Sequence, residues 1–368
     1  MRIETISIVN FKNIADARLG FSPAINCVVG ANGMGKSNLL EAIYYLSMTR
    51  SFLRLPDSEV IRHGAPAMLV KGEYMLEGDT REQVSIGFDP QRRKVLHKGG
   101  KEYKRMSAHI GSLPLVLASP ADTFLITGAP EERRRLMDTA ISQADGAYLR
   151  HLMLYNKALT QRNASLKAGI TDPILLEGIE AQMAASGAAI IRARHKFAHT
   201  MAEPFTHYYS AVAGTEEHPD LSYRPSREAD IFAAALAETR ARDAAIGHTS
   251  VGPHRDDLAL SLSGFDLRRL GSQGQMKTFT IALRLALHRW LLECTGVVPL
   301  LLLDDIFDKL DAGRVGNILQ LVNREQTAQT FITDTGREHI DALLRSTPGP
   351  YMLLEAEHGA YKSLTSRL

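Results

Sequence analysis

Cysteine is scarce in this 368-residue chain: there are two, Cys27 and Cys294. Their separation fits neither a disulfide framework nor a metal-site spacing. Both lie in or beside apolar segments, so both are expected as buried free thiols in a reducing compartment. A surplus of one charge is also missing. Forty-three Lys and Arg against 41 Asp and Glu leave a net charge of +2, so a nucleic-acid surface would have to come from local clustering. No run of 18 apolar residues occurs, and no membrane span is expected. The start, MRIETISIVNF, alternates like a strand and lacks the apolar core of a signal peptide. A cytoplasmic protein without a membrane partner is the expectation. Internal repeats, low-complexity linkers, sustained heptads and an aromatic ladder for single-stranded nucleic acid are all lacking.

What is there reads as a soluble globular protein, 45% hydrophobic and 23% charged. The length exceeds what one core usually fills, so more than one domain is expected. Residues 1–125 are strand-rich, with an apolar strand AINCVVG, a helix KSNLLEAIYYLSM and then short alternating strands. The KGGK step at 98–101 marks a hairpin. Residues 126–246 are helical. Pro130 followed by Glu131 and Glu132 is a helix start, and a long helix is expected to bend or end near Pro204. Residues 247–368 return to strands around the helix QMKTFTIALRLALHRWLLE, whose Met276, Phe279, Leu283, Leu287 and Trp290 share a face. PLLLLDD and QTFITDT read as buried strands.

GANGMGKS, from Gly30 through Ala31, Asn32, Gly33, Met34, Gly35 and Lys36 to Ser37, fits the phosphate-binding loop G-x-x-x-x-G-K-[ST]. It stands between an apolar strand and a helix, as that loop requires. Glycines let backbone N–H groups curl around phosphate oxygens, Lys36 adds a positive charge at the β and γ phosphates, and the Ser37 hydroxyl is placed to ligate Mg²⁺. ATP and Mg²⁺ are the expected cofactors. In LLLLDDIFDKLD a buried strand ends in two acids. Asp304 is expected to hold Mg²⁺ and Asp305 to orient or deprotonate the attacking water. Residues 91–105, QRRKVLHKGGKEYKR, carry seven Lys or Arg against one acid, Glu102. They are a candidate duplex-DNA contact, and equally a solvated sheet edge guarded by lysines. EERRRLMD reads equally as a further DNA-contact cluster or as a charged helix face with local ion pairs. HTSVGPHRDD reads as a structural turn rather than a metal site, although His248, His254, Asp256 and Asp257 are all ligand types.

A phosphate loop, an acid-bearing strand far downstream and a helical insertion between them resemble the layout of ATP-binding-cassette ATPases. That resemblance implies that GSQGQ, with Ser272, Gln273, Gly274 and Gln275, is the signature loop that caps the ATP held by a partner subunit. More specifically, NFKNI, GANGMGKSNLLEAI, GAPEERRRLMD, HTSVGPHRDD, GSQGQMK and LLLDDIFDKLD resemble the RecF family of bacterial recombination-mediator ATPases, related to the heads of structural-maintenance-of-chromosomes proteins. Met276 stands where the family usually has a second glutamine. TRSFLR replaces its GRSFR and leaves Arg50 and Arg54 without an assigned role, and no Mg²⁺-sensing glutamine is assigned near LASPADTF. The resemblance implies an α/β fold: an ABC-type P-loop ATPase head with a mixed sheet and an antiparallel β subdomain, plus an inserted helical arm. It also implies a weak, DNA-dependent ATPase of replication, repair and the SOS response. Such a protein forms a homodimer with ATP, binds double-stranded DNA near single-strand gaps and helps load recombinase with RecR- or RecO-type mediators. A transporter ATPase subunit and a P-loop small-molecule kinase are the competing readings. The first would need an LSGGQ signature and a membrane-docking surface, and the second leaves GSQGQ unexplained.

Overall fold

The computed structural model describes residues 1–368 except 171, 215–216, 309, 325–327 and 368, and without the side chains of 323 and 324. The chain forms two units. One comprises Met1–Asp122, Tyr208–Thr215 and Gln273–Leu368, the other Thr123–His207 and Glu216–Ser272.

In the first unit the run INCVV forms the strand Ile25–Val29, buried at all five positions. Continuous burial of that kind suits a strand covered on both faces. Its sheet has the order Ala360–Arg367, Tyr351–Glu357, Ile25–Val29, Thr330–Asp334, Leu300–Asp304, Leu115–Ala118. The last five are parallel, and Ala360–Arg367 is an antiparallel edge. Parallel pairing puts the carboxyl ends of Ile25–Val29, Leu300–Asp304 and Thr330–Asp334 at one edge, where ligands of open α/β sheets bind.

The other sheet of this unit is antiparallel, in the order Ile14–Gly20, Arg2–Phe11, Met68–Met75, Arg81–Phe88, Val95–Lys98, Lys101–Glu102. Its last turn is the KGGK hairpin, with Lys98 opposite Lys101 and positive φ at Gly99 and Gly100, the backbone that a two-residue hairpin of this twist demands. The helix Lys36–Met48 packs against strands of both sheets. Leu39, Leu40, Ile43 and Leu46 are fully buried there, each stabilising the fold by about 1.5–3 kcal/mol.

The second unit contains the helices Pro130–Ala144 and Gly146–Lys167, most of Pro173–Ala213, and a three-stranded antiparallel sheet of Pro219–Arg224, Asp257–Leu262 and Phe265–Asp266. It runs on to Ser272, past the expected change of pattern at Gly247, because Asp257–Leu262 pairs along its whole length with Pro219–Arg224. The helix Pro173–Ala213 continues through Pro204. An internal proline costs about 3 kcal/mol, and burial of Met201 and Phe205 on either side offsets that cost. This helix is long and apolar enough by composition to cross a membrane. Its buried face nevertheless carries Glu180 and Arg194, paired with Arg162, Asp138 and Asp256, as in a core helix of a folded unit. Of the two thiols, Cys27 is buried as expected, but Cys294 is exposed. It lies near the end of the helix Gln273–Thr295, where the buried face has already turned away.

Candidate active site

Strand and helix meet at the phosphate loop through backbone shapes only glycine takes easily. Gly30, Gly33 and Gly35 have φ of 151°, 80° and 110°. A Cβ on Gly30 would lie 2.5 Å from the Ala356 carbonyl oxygen. The loop is held from two sides. The Asn13 side chain donates to the Gly33 carbonyl at 3.3 Å and accepts from Asn38 at 2.7 Å. From the other side the turn at His358 and Gly359 closes on it: the Gly359 N–H donates to the Met34 carbonyl at 2.9 Å, and the Tyr361 hydroxyl to the Gly35 carbonyl at 2.8 Å. Ala31, Asn32 and Gly33 remain exposed. The helix that follows has no side-chain cap and no acid in its first turn, so its N-terminal N–H groups and dipole are left for an anion.

Lys36 donates to the Gly30 and Ala31 carbonyls at 2.7 and 3.0 Å. Burial lowers its pKa, opposed by the charges of Asp305, Asp304 and Asp334. The Ser37 hydroxyl donates to Asp304 Oδ1 at 2.8 Å, and the Thr333 hydroxyl donates to the same oxygen at 2.6 Å. The Asp305 N–H is bound by Thr333 through its hydroxyl and its carbonyl. Asp305 takes a left-handed backbone, φ 48°, a conformation that Asp tolerates better than most residues. Burial raises its carboxyl pKa, helped by Asp334 and Asp304.

One hydroxyl and one carboxylate in contact at the loop's end suit Mg²⁺, which takes one or two protein oxygens and completes its octahedron with water and phosphate. Among the described residues no group of three or more His, Cys, Asp or Glu would make an all-protein cage.

Residues 2–347 match the model of the RecF/RecN/SMC N terminal domain. The chain is 43% identical to the DNA replication and repair protein RecF of Parabacteroides distasonis, over 98% of both chains. It is 43% identical to that of Porphyromonas gingivalis, over 98% of this chain and 99% of the other. The chain belongs to the RecF family. The solved structure of the recombination mediator protein RecF with ATP, in the RecFOR pathway, is 30% identical and superposes with a TM-score of 0.88 over 99% of each chain. A structure of an Smc head bound to the C-winged helix domain of ScpA, 15% identical over all of this chain and 98% of its own, shares the fold with a TM-score of 0.58. The fold is thus an ABC-type ATPase head of mixed α/β sheets with antiparallel strands and a helical insertion.

Within this RecF-family chain the loop Gly30–Ser37 and the acids Asp304 and Asp305 come together at one sheet edge. GSQGQ differs from a loop: Gln273, Gly274 and Gln275 already form the first turn of the helix Gln273–Thr295, with Ser272 exposed just ahead of it. The segment following the acid pair holds that turn. Lys277 donates to the Asp308 carbonyl, and Gly274 lies so near Arg314 that a Cβ would stand 2.6 Å from its guanidinium.

Of the basic stretch, Lys94 points inward to Asp57, the Tyr45 hydroxyl and the Thr49 carbonyl. Arg93 pairs with Glu102 and Arg92 with Asp89. Lys101, Lys104 and Arg105 are exposed and Lys98 is half-buried. EERRRLMD and HTSVGPHRDD are scaffold within the second unit. Arg133 pairs with Asp257, Arg135 with Glu131 and Glu132, and His254 bridges the Tyr155 hydroxyl and the Thr249 carbonyl. Sequence reasoning missed Asn13, Asn38, Thr333, Asp334 and Tyr361. NFKNI and QTFITDT were visible in the sequence, but only tertiary contact turns them toward the phosphate loop.

Proposed function

We propose that the chain is an ATP-dependent DNA-binding switch of recombinational repair and replication, acting in the cytoplasm. The contact of Ser37 with Asp304 carries this reading, because it joins the phosphate loop to the acid strand at one point. Lys36 and the first-turn N–H groups hold the β and γ phosphates. Ser37 and Asp304 would hold Mg²⁺, which supplies charge neutralisation across those phosphates. Asp305 positions a water in line with the γ-phosphorus. As the bond from water oxygen to phosphorus forms, the bond to the β–γ bridging oxygen breaks, ADP leaves, and the water proton passes through Asp305 to the released phosphate.

The polar helix start, with Ser272, Gln273, Gly274 and Gln275, caps the ATP of a second protomer, so that ATP draws two chains into a homodimer. Arg92, Arg93, Lys98, Lys101, Lys104 and Arg105 contact duplex phosphates, and the dimer marks duplex beside single-strand gaps for RecR- or RecO-type mediators that load recombinase. The names of the RecF relatives support the repair role. Gel filtration with ATP and with ADP, together with ATPase rates with and without duplex DNA over a range of salt, tests the reading. A dimer with ATP alone, and a rate raised by DNA and lowered again by salt, are expected. A monomer with both nucleotides and a DNA-indifferent rate would overturn it.

A further inference from the structure

The three-stranded sheet of the second unit has one face in the core and one toward solvent. Along Asp257–Leu262 the residues Leu258, Leu260 and Leu262 are buried, and along Pro219–Arg224 so are Leu221 and Tyr223. The alternate residues Asp257, Ala259 and Ser261 belong to the other face, with Arg224, Ser222 and Asp220 opposite them in register. A cavity of about 450 Å³ lies against this strand. Its lining includes Arg133, Arg224 and Arg268 and the carboxylates of Asp257 and Asp266. Ala259 and Ser261 also line it, with side chains too short to fill it.

Charge in the lining is not balanced. Both oxygens of Asp257 accept from the Arg133 guanidinium, at 2.7 and 3.0 Å. Asp266 caps the helix Leu267–Leu270, accepting from the Arg268 N–H at 2.9 Å. Arg224 and Arg268 are exposed, and among the described residues neither has an ion pair. One exposed arginine is ordinary surface. Two that line one cavity, beside a third already neutralised, make a pocket suited to planar, two-oxygen anions such as carboxylates. The same elements hold large apolar side chains in water. Phe265 adjoins Asp266, Phe124 shares the helix Thr123–Thr127 with Ile126 of the lining, and Leu270 ends the helix that carries Arg268. Duplex DNA fits this surface poorly. Asp257, Asp266 and Asp220 repel a continuous line of phosphates, and phosphates make no use of exposed phenylalanine and leucine. A short acidic stretch of protein supplies both carboxylates and an apolar side chain between them.

We propose that this cavity docks an extended acidic segment of a partner protein. Arg224 and Arg268 each take a carboxylate, and Phe265 packs on an apolar side chain of the same segment. The site lies wholly in the second unit and does not depend on the ATPase reading.

The probe is a short fluorescein-labelled peptide with aspartates on either side of one phenylalanine, titrated with the full chain and read by fluorescence anisotropy. Saturable binding is expected, weakened about tenfold in Arg224→Gln and about tenfold in Arg268→Gln, the size of one lost charge-assisted hydrogen bond each. Arg224→Lys and Arg268→Lys, which keep the charge, should recover part of the loss. Phe265→Ser should cost about threefold with this peptide and nothing once its phenylalanine is replaced by glycine. The variant with Lys98, Lys101 and Lys104 replaced by Gln should bind the peptide like wild type, and nucleotide affinity should stay unchanged throughout. The three replaced side chains of the second unit are exposed, so the variants keep the fold, which melting temperatures check. No saturable binding of the acidic peptide, or equal affinity for wild type and the double variant Arg224→Gln, Arg268→Gln, would overturn the proposal. Loss of peptide binding in the lysine variant alone would place the segment on the basic hairpin and overturn it too. Loss of duplex DNA binding in the double variant, with the peptide unaffected, would make the cavity a phosphate contact instead.

Discussion

Two Asp–Asp pairs occur in this chain, and their surroundings are opposite. Asp256 and Asp257 open the strand Asp257–Leu262, whereas Asp304 closes the strand Leu300–Asp304 and Asp305 follows it. Asp256 is fully buried and saturated by Arg194, the Tyr223 hydroxyl and the Ser226 N–H. Asp257 is held by both arms of the Arg133 guanidinium. At the other pair the partners of Asp304 are two hydroxyls, and Asp305 is surrounded by further acids with Lys36 as the opposing charge. A charge pair completed by arginine is scaffold. An acid pair left short of positive charge at the carboxyl edge of a parallel sheet is, on the function proposed above, where a cation and a phosphate would be held.

The comparison breaks most sharply under isosteric substitution. Asp305→Asn should lower ATP hydrolysis roughly a thousandfold while ATP binding persists and the dimer outlives that of wild type. Phosphate release and gel filtration check this, and near-normal turnover would move the role elsewhere. Lys36→Ala should cost ATP binding itself, and with it the ATP-induced dimer; binding of a fluorescent ATP analogue is the measurement. Asp256→Ala should do the reverse, leaving the buried Arg194 with Asp138 as its remaining carboxylate, orphaning the Tyr223 hydroxyl and the Ser226 N–H, and destabilising the second unit by about 2–4 kcal/mol. Calorimetry on the whole chain reads that loss, and a melting profile like wild type would show the pairing to be dispensable.

Complementation sharpens the comparison further. Ser272→Arg and Lys36→Ala should each be inactive alone. Mixed in equal amounts, about half of the dimers carry one site with both lesions and one with neither, restoring roughly a quarter of wild-type ATPase. Mixed dimers that are cross-linked yet inactive would sink the shared site. The smallest effect concerns DNA. Replacing Lys98, Lys101 and Lys104 with Gln should flatten log K against log[salt] by up to about 0.9 per lost phosphate contact, and an unaltered slope would place DNA on another surface.

Much of this was legible in the sequence wherever local pattern decides structure. The apolar run before Gly30, the glycines of the loop, the four leucines before Asp304 and the KGGK turn each specify their own backbone, and all appear where the pattern puts them. The helix does not end at Pro204, and Cys294 is exposed rather than buried, because burial is a tertiary property that overrides local preference at the first and fails to reach the second. GSQGQ looks like a loop by composition, yet three of its residues are helical, since helix starts and polar loops favour the same residue types. Lys94 shows the limit of counting charges. Only the fold could reveal that one member of the basic stretch faces Asp57. For the candidate site, the loop Gly30–Ser37 and the acid pair were readable as segments, while Asn13, Thr333, Asp334 and Tyr361 reach them from distant parts of the chain.

The strand that feeds the phosphate loop has as neighbours Thr330–Asp334 and Tyr351–Glu357, and the turn at Gly359 closes over the loop. A ribosome adding about 5–20 residues per second emits Gly30 tens of seconds before Gly359. Throughout that interval the loop's sequence is present without the sheet or the clasp that shapes it. The loop's backbone is therefore shaped by contacts some 300–330 residues away in the chain, and none of them is available while that part is still unmade.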